Sequence, residues 1–481
     1  MDVAFMLNAF LTYFFIPIFE KCSRTEFWSL YRKMLKEFSN TTSYLHIEAF
    51  KLNKILHNAS ENTEFWPSLI NKKDNQTVFQ LLKTIPISKK STYAQGFPDQ
   101  VTVRKHTGDW QYLSSAGTTG RMTVVVDFEK RDYLRAAEHL NLKLATGCAL
   151  GYKSVDIPPS ACNLVCGFTD QGPEPLVQFF SWALKNNRLF VKATLSDFRG
   201  RFERQIMLKR EVLMPINSVP WKKMCEQLDI YLDDIIENKI HIIRALPHFL
   251  LWLAKRAEQR ELTFPYVKTL LPYGGLAGKE LVKTITHAFQ AKYTNVYGTG
   301  EVGSIGCATS DPHVVDVYAE MVCLEVVDEC GVCVPLNTPG RVVVTDLNNF
   351  AMPIIRYEIG DVAEVIQYDE QSGLPKKIKI LGRIQECMDL PSGKCVTPLE
   401  IQDVFFQFSN VINFKLEQVT SKIFKVSVVC LNDLDTDKLS KNLQFLLNLP
   451  KPPSIKINEF IMPEQSGKFL SVKTMKKGYI G

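Results

Sequence analysis

Segments patterned as strands and segments patterned as helices alternate along the chain from about residue 100 onward. This alternation constrains the fold strongly, because each element must bury one apolar face against another layer. The 481 residues of the chain suffice for about two to four domain-sized units. A layered α/β architecture is therefore predicted. The predicted helices cover 131–145, 245–260 and 279–291, and the predicted strands cover 122–128, 314–327 and 341–346.

The C-terminal part of the chain has the pattern of a separate small unit. Apolar and polar residues alternate in 412–417 and in 424–428, which is the two-residue period of half-buried strands. A helix is predicted at 436–448 and a further strand near 455–461. We therefore expect a large multi-layered domain followed by a small, mobile α+β lid, joined near Leu381-Gly382-Arg383. The expected limits are 1–100 for a helical N-terminal part, 101–382 for the rest of the large domain, and 383–481 for the lid.

The N-terminal segment from Val3 to Phe19 is apolar and carries no charge. It is at the short limit for a membrane span, which needs about 20 apolar residues. It also lacks the basic start and the small-residue cleavage site of a signal peptide, and Pro17 is expected to end a helix early. We predict a helix docked on the protein and followed by further helix over 20–60. Contact with a membrane surface, or a span or signal, is the less favoured alternative.

Charge argues against a nucleic-acid-binding protein, and cysteine usage argues against a disulfide-stabilised one. A net charge of +6 over the whole chain is too weak and diffuse for a nucleic-acid-binding surface. The twelve cysteines are scattered, mostly singly, which indicates reduced thiols and a cytoplasmic location. Cys330 with Cys333, and Cys162 with Cys166, are short-spaced pairs. Because zinc takes four ligands, we interpret these pairs as turn or buried thiols.

The first motif that can carry chemistry is SSAGTTG, from Ser114 to Gly120. Small and hydroxyl residues leave backbone N–H groups free to surround phosphate oxygens, and the hydroxyls add donors. It is not a Walker A loop, because a strand pattern follows where Walker A requires Gly-Lys-Ser/Thr and a helix. Taken alone, the motif is equally typical of a polar turn.

Three further motifs are weak singly. YGTGE, from Tyr297 to Glu301, places an aromatic ring and a possible Mg²⁺ ligand around a glycine turn. RYEIGD, from Arg356 to Asp361, places an aspartate after a glycine, and such turns are common. SGK, from Ser466 to Lys468, is a lysine in a glycine turn. Each of them alone is better explained as a loop.

The order and spacing of these motifs, with a Gly-Arg at Gly382, resemble those of the acyl- and aminoacyl-adenylating superfamily. Finer features resemble its phenylacetate–CoA ligase and capsule-biosynthesis branch. These features are Thr123 after the phosphate loop and the segments 245–262 and 52–66. The resemblance covers nearly the whole chain. It implies an ATP- and acyl-binding large domain and a mobile lid.

The resemblance also implies roles for individual residues. Lys468, Thr118 and Glu301 are the implied catalytic residues, with Lys468 bridging the acyl carboxylate and ATP, and Glu301 holding Mg²⁺. Asp361 is implied to bind ribose, and Arg383 to contact ribose or phosphate near the hinge. The ATP phosphates are implied to bind Ser114, Ser115, Gly117, Thr118, Thr119 and Gly120, and the adenine and acyl pocket to be lined by Gly274, Gly275, Tyr297 and Gly298.

The implied activity is ATP- and Mg²⁺-dependent conversion of a small, possibly aromatic, carboxylic acid to an acyl-adenylate, followed by transfer to a thiol such as CoA. This chemistry needs no protein nucleophile, and no Ser-His-Asp or Cys-His arrangement is evident. Three departures from the family pattern stand out: Ala116 in the loop, Ile384-Gln385-Glu386 in place of acidic hinge residues, and MDLPSGK at 388–394 without a basic–glycine pair. The last leaves two alternatives open, namely a ligase that passes the acyl group to a carrier protein or an amine, and a catalytically silent binding protein.

Overall fold

The computed structural model describes residues 6, 10, 14–23, 25–39, 44–71, 75–105, 110–117, 120–159, 209–390, 395–420, 423–464 and 467–475. Thr118, Thr119, Cys162, Cys166 and Ser466 lie outside these ranges. The helices of the described part are α1 Ile16–Ser23, α2 Phe27–Ser39, α3 Tyr44–Asn62, α4 Val78–Thr84, α5 Lys90–Gly96, α6 Phe128–Thr146, α7 Trp221–Glu237, α8 Pro247–Gln259, α9 Lys279–Phe289, α10 Pro398–Phe406 and α11 Thr436–Leu446.

The strands of the same part are β1 Gln111–Gly117, β2 Gly120–Val126, β3 Ser154–Ile157, β4 Arg210–Val212, β5 Ile242–Ala245, β6 Thr269–Pro272, β7 Lys292–Tyr293, β8 Val296–Thr299, β9 Gly303–Ala308, β10 Val314–Val317, β11 Val322–Val327, β12 Pro339–Asp346, β13 Tyr357–Tyr368, β14 Pro375–Arg383, β15 Met388–Asp389, β16 Cys395–Val396, β17 Val411–Gln418, β18 Phe424–Cys430, β19 Ile455–Ile457 and β20 Val472–Lys473.

A five-stranded parallel sheet has the order β4-β3-β5-β6-β7. Its strands are short, and those in the middle are almost wholly buried, as expected for a parallel sheet covered by crossover helices. Helices α7, α8 and α9 are those crossovers. Tyr273 to Gly275 directly follow β6 and therefore lie at the carboxyl edge of this sheet. Ligands of open α/β sheets bind beyond the carboxyl ends of the strands.

A seven-stranded antiparallel sheet has the order β11-β12-β13-β14-β10-β9-β8. Asp361 on β13 and Arg383 on β14 are direct partners in the ladder. Tyr297 lies on the edge strand β8, which is separated from β13 by β14, β10 and β9, yet its hydroxyl contacts Asp361. The sheet must therefore curve to bring its edge back over β13, and this curvature assembles the site described below.

The C-terminal unit is an α+β domain, as predicted. Its four-stranded sheet has the order β19-β18-β17-β20, with an antiparallel centre, and it carries α10 and α11. It shares one apolar core with the five-stranded sheet. Trp252 on α8 donates its indole N–H to the Ile412 carbonyl oxygen at 2.9 Å, and the Phe469 ring packs on His248 and Trp252. The mixed α/β fold with a large and a small domain is thus confirmed, whereas the predicted domain limits stay predictions.

Several local predictions were wrong. The strand predicted at 314–327 is two strands, because a turn at Tyr318 to Met321 closes with a 2.8 Å backbone hydrogen bond. The strand predicted near 455–461 covers only Ile455–Ile457. Pro17 does not end a helix but lies in the first turn of α1, where a missing N–H costs nothing. Among the described residues, no helix is long and apolar enough to cross a membrane.

Candidate active site

Tyr297, Asp361 and Arg383 form one cluster, in which Tyr297 and Asp361 are buried and the Arg383 side chain is 46% exposed. The Tyr297 hydroxyl donates to Asp361 Oδ2 at 2.7 Å, and Arg383 Nε lies 2.9 Å from Asp361 Oδ1. Burial and the Asp361 charge raise the pKa of the Tyr297 phenol well above its ordinary value, so that it stays a donor. Asp361 in turn raises the pKa of the Arg383 guanidinium. A carboxylate has about four acceptor positions, so Asp361 retains capacity for a ligand's hydroxyls.

The local backbone explains how Asp361 is presented. RYEIGD was predicted to contain a glycine turn, but Tyr357 onward is strand β13, and the irregularity is a bulge between β12 and β13. Gly360 has φ +85°, a conformation that a side chain disfavours. On the neighbouring strand, Gly382 has φ +145°, and a side-chain carbon there would collide with Pro398 at the start of α10. Both glycines of the site are thus required by backbone geometry.

Lys468 lies against the glycine pair that follows β6. A side-chain carbon built on Gly274 would lie 3.4 Å from Lys468 Nζ and 3.0 Å from Leu246 Cδ2. One built on Gly275 would lie 3.5 Å from Pro247 Cδ. Lys468 itself is fixed in a glycine turn, with Gly467 at φ +74° and the Glu464 N–H donating to the Lys468 carbonyl oxygen at 2.9 Å. The predicted lysine and the predicted pocket residues are therefore neighbours.

Helix α10 of the small domain holds this arrangement by capping α9 of the large domain. Gln402 Oε1 accepts from the Gly278 N–H at 2.9 Å, and Asp403 Oδ1 accepts from the Glu280 N–H at 3.2 Å. The first N–H groups of a helix have no partner within the helix. The small domain therefore supplies caps that α9 lacks from its own N-cap residue, since Gly278 has no side chain.

Glu301 lies in the connection between β8 and β9, and its side chain is nearly buried. Its carboxylate lies 3.2 Å from Lys90 Nζ on α5, and the Tyr357 hydroxyl lies 3.5 Å from the same oxygen. Gly298 is needed in this hairpin, because a side-chain carbon there would lie 2.5 Å from the Gly303 carbonyl oxygen. Magnesium is commonly held by one or two carboxylates plus substrate phosphates, so Glu301 fits that role. Within the described residues, no group of three or more His, Cys, Asp or Glu side chains is clustered for a metal.

The phosphate-loop motif forms a two-stranded hairpin. Ser114, Ser115 and Gly117 belong to β1, Gly120 begins β2, and Gly117 pairs with Gly120. The motif was interpreted as a loop, but its first four residues extend a strand instead. Strand β2 is tied to the segment that precedes β13, since the Asn349 amide donates to the Val125 carbonyl oxygen at 3.0 Å. The phosphate-binding roles of Ser114 to Gly120 remain predictions.

Two charged residues near the site were missed by sequence reasoning. Lys90 gave no signal, because it is one of many lysines and stands in none of the motifs. Glu386 was noted only as a departure from the family pattern. Burial raises the pKa of Glu386 to about 7, against the opposing effects of Arg383 and Lys468, while Asp361 raises it further. Its charge state therefore depends on pH in the physiological range.

Of the two short-spaced cysteine pairs, only Cys330 and Cys333 lie in the described part of the chain. Cys330 and Cys333 lie in a hairpin connection, with Gly331 at φ +78° and Val327 bridged to Cys333. The Cys330 N–H donates to Asp328 Oδ1 at 2.9 Å. This geometry is a turn closed by an aspartate, as the sequence interpretation held for this pair.

The fold class defined by these domains is that of the adenylate-forming enzymes. No protein-family model and no curated protein matches the sequence. Among solved structures, 2-hydroxyisobutyryl-CoA ligase in the postadenylation state with 2-HIB-AMP has a TM-score of 0.62 at 15% identity, covering 89% of this chain and 88% of that one. The complex of the same ligase with R3-HIB-AMP gives 0.61 at 15% identity, covering 86% and 88%. Its open conformation with 2-HIB-AMP and CoA gives 0.51 at 15% identity, covering 89% and 90%.

Proposed function

We propose that this protein uses ATP and Mg²⁺ to convert a small, possibly aromatic, carboxylic acid to an acyl-adenylate, and then transfers the acyl group to a thiol such as CoA. The observation that carries the proposal is the convergence of residues from distant motifs. Tyr297, Asp361 and Arg383 meet in one cluster, while Lys468 meets Gly274. A chance Gly-Asp turn or a solvated lysine has no reason to converge in this way.

The cluster around Asp361 suits the ribose of a nucleotide. The Asp361 carboxylate accepts a hydrogen bond from Tyr297, forms an ion pair with Arg383, and keeps further lone pairs for ribose hydroxyls. In this proposal the Tyr297 ring, whose hydroxyl is held by Asp361, lines the adenine pocket together with Gly274 and Gly275. In this proposal Ser114 to Gly120 surround the phosphates, and Glu301 holds the Mg²⁺ that neutralises them.

The first half-reaction is an attack at phosphorus. A carboxylate oxygen of the substrate forms a bond to the α-phosphorus of ATP, the bond to the bridging oxygen breaks, and pyrophosphate leaves with its electron pair. No protein group is acylated, so the protein acts by positioning and by stabilising charge. Lys468, beside Gly274, is the cation proposed to bridge the carboxylate and the α-phosphate.

The second half-reaction is attack of a thiol on the acyl carbon of the mixed anhydride, which gives a thioester, AMP and a proton. CoA is the proposed acceptor, supported by the fold shared with a ligase whose structure contains 2-HIB-AMP and CoA. Within the fold, we place the chain with the phenylacetate–CoA ligase branch, on the basis of Thr123 and the segments 52–66 and 245–262. A carrier protein or an amine is the alternative acceptor.

A pyrophosphate-exchange screen over a panel of carboxylic acids tests the proposal. We expect exchange that requires Mg²⁺ and one class of acid, with short aryl acids included in the panel. The reaction without acid is the control. The active acid is then offered with CoA, with a phosphopantetheinylated carrier protein and with a simple amine. ATP binding without exchange for any acid would instead support a catalytically silent binding protein.

A further inference from the structure

Lys90 is a buried cation that the proposed mechanism does not yet use. Its Nζ lies 3.2 Å from Glu301 Oε1, and the two side chains are 14% and 10% exposed. A carboxylate and an ammonium held together at this depth interact more strongly than a surface pair. Lys90 therefore contacts an oxygen of Glu301, the carboxylate that is proposed to hold Mg²⁺.

The position of Lys90 is fixed by the strand that bears Asp361. Ser88, two residues earlier, bridges to Tyr357 at the start of β13. Its N–H donates to the Arg356 carbonyl oxygen at 2.8 Å, and the Glu358 N–H donates to the Ser88 carbonyl oxygen at 3.0 Å. The Ser88 hydroxyl adds a 2.7 Å bond to the Ile355 carbonyl oxygen. The N-terminal region is thus joined to the site by backbone bonds, which place Lys90 beside Glu301.

An ion exchange at Glu301 follows from this contact. Mg²⁺ carries twice the charge of an ammonium and binds carboxylate oxygens directly, so Mg²⁺ held by Glu301 would compete with Lys90 for the carboxylate oxygen that Lys90 contacts. The released ammonium has a long flexible stem and three donors. The anion that accompanies the metal is the polyphosphate of ATP, and it accepts such donors.

We infer, resting on the proposed function, that Lys90 is a nucleotide-positioning residue that exchanges Glu301 for the β- and γ-phosphates of ATP when Mg²⁺ binds Glu301. In the nucleotide-free protein, Lys90 holds the Glu301 carboxylate in place. In the loaded protein, it neutralises the pyrophosphate leaving group. AMP lacks the β- and γ-phosphates and has no contact to offer Lys90.

The test compares ATP with AMP by isothermal titration calorimetry, each with Mg²⁺ and with EDTA. For Lys90→Met, which keeps the length of the side chain and removes its charge, we expect Mg-ATP to bind about 10- to 100-fold more weakly. AMP affinity is expected to stay within about twofold of wild type. Lys90→Arg should restore most of the ATP affinity, and Lys283→Met, at an exposed position of α9, serves as the control for loss of one charge.

A second variant tests the exchange by changing Glu301 instead of Lys90. Glu301→Gln releases Lys90 without metal, so ATP in EDTA should bind this variant more tightly than wild type. Unchanged ATP affinity in Lys90→Met, or an equal loss for ATP and AMP, would overturn the inference. ATP in EDTA binding Glu301→Gln no more tightly than wild type would also overturn it. A wild-type protein that binds no ATP would refute the proposed function itself, which separates the two failures.

Discussion

Replacement of Lys468 by alanine is the perturbation with the largest expected effect on the first half-reaction. The ammonium lies 3.4 Å from the position of a side-chain carbon on Gly274, at the carboxyl edge of the parallel sheet. A unit charge about 4 Å from developing negative charge contributes about 4 kcal/mol at an effective dielectric constant of about 20. Removing one preorganised donor typically costs about 10²- to 10³-fold in rate. The two estimates agree, and we expect Lys468→Ala to slow adenylation by about 10²- to 10³-fold.

The assay measures the two half-reactions separately on one preparation. Pyrophosphate exchange reports adenylation, and thioester formation from a supplied synthetic acyl-adenylate reports transfer. In members of the resembled family, the lid rotates between the half-reactions, so transfer should be nearly unchanged in Lys468→Ala. Lys473→Ala, an exposed lysine in β20 of the same domain, should alter neither rate.

A second variant tests the placement of the lysine from the opposite side. Gly274 has φ +72°, and a methyl group there would lie 3.2 Å from Lys468 Cε and 3.0 Å from Leu246 Cδ2. Gly274→Ala should therefore displace the lysine and slow adenylation more than transfer. Equal losses of both rates in Lys468→Ala would mean a structural role, and no loss in either would mean that Lys468 is a surface lysine; both results refute the reasoning.

Three further predictions concern the same site. Asp361→Asn should weaken ATP binding by about 1.5–3 kcal/mol, measured by calorimetry, because the ribose loses a charge-assisted acceptor; unchanged affinity would remove Asp361 from the site. Glu386→Gln should flatten the pH dependence of ATP affinity between about pH 6 and about pH 8. The pKa of Glu386 is raised to about 7, so wild type acquires a negative charge beside Asp361 as pH rises and binds ATP less well; a slope that persists in the variant contradicts this. Asp403→Ala should cost about 1 kcal/mol of helix capping and slow pyrophosphate exchange about fivefold without slowing transfer; an equal effect on both would argue against the lid contact.

The fold was largely predictable because hydrophobic periodicity is a local property. The alternation in 412–417 and 424–428 corresponds to β17 and β18, and the helices predicted at 245–260 and 279–291 correspond to α8 and α9. The failures were at boundaries. Periodicity did not show the turn that divides 314–327, and Pro17 was taken as a helix end although it lies in the first turn of α1.

The candidate site could be proposed from the sequence only where short motifs suggest its chemistry. Tyr297, Asp361, Arg383 and Lys468 could be named because each stands in a motif that the family resemblance made meaningful. Lys90 could not be named, since its role depends on a contact with Glu301 across the fold. No local sequence pattern shows that the pairing of Ser88 with Tyr357 brings Lys90, rather than another lysine, beside Glu301.

The charge distribution of the candidate site gives a physical reason for the joint binding that is proposed for ATP and Mg²⁺. Asp361 is paired with Arg383, and Glu301 with Lys90, so the site's own acids already neutralise two of its cations. An anion without a metal must compete with those carboxylates for the same cations. If Glu301 holds Mg²⁺ as proposed, Lys90 would become available to the anion, and the metal would add its own charge. A site built in this way disfavours a lone anion and a lone metal, and favours the two together.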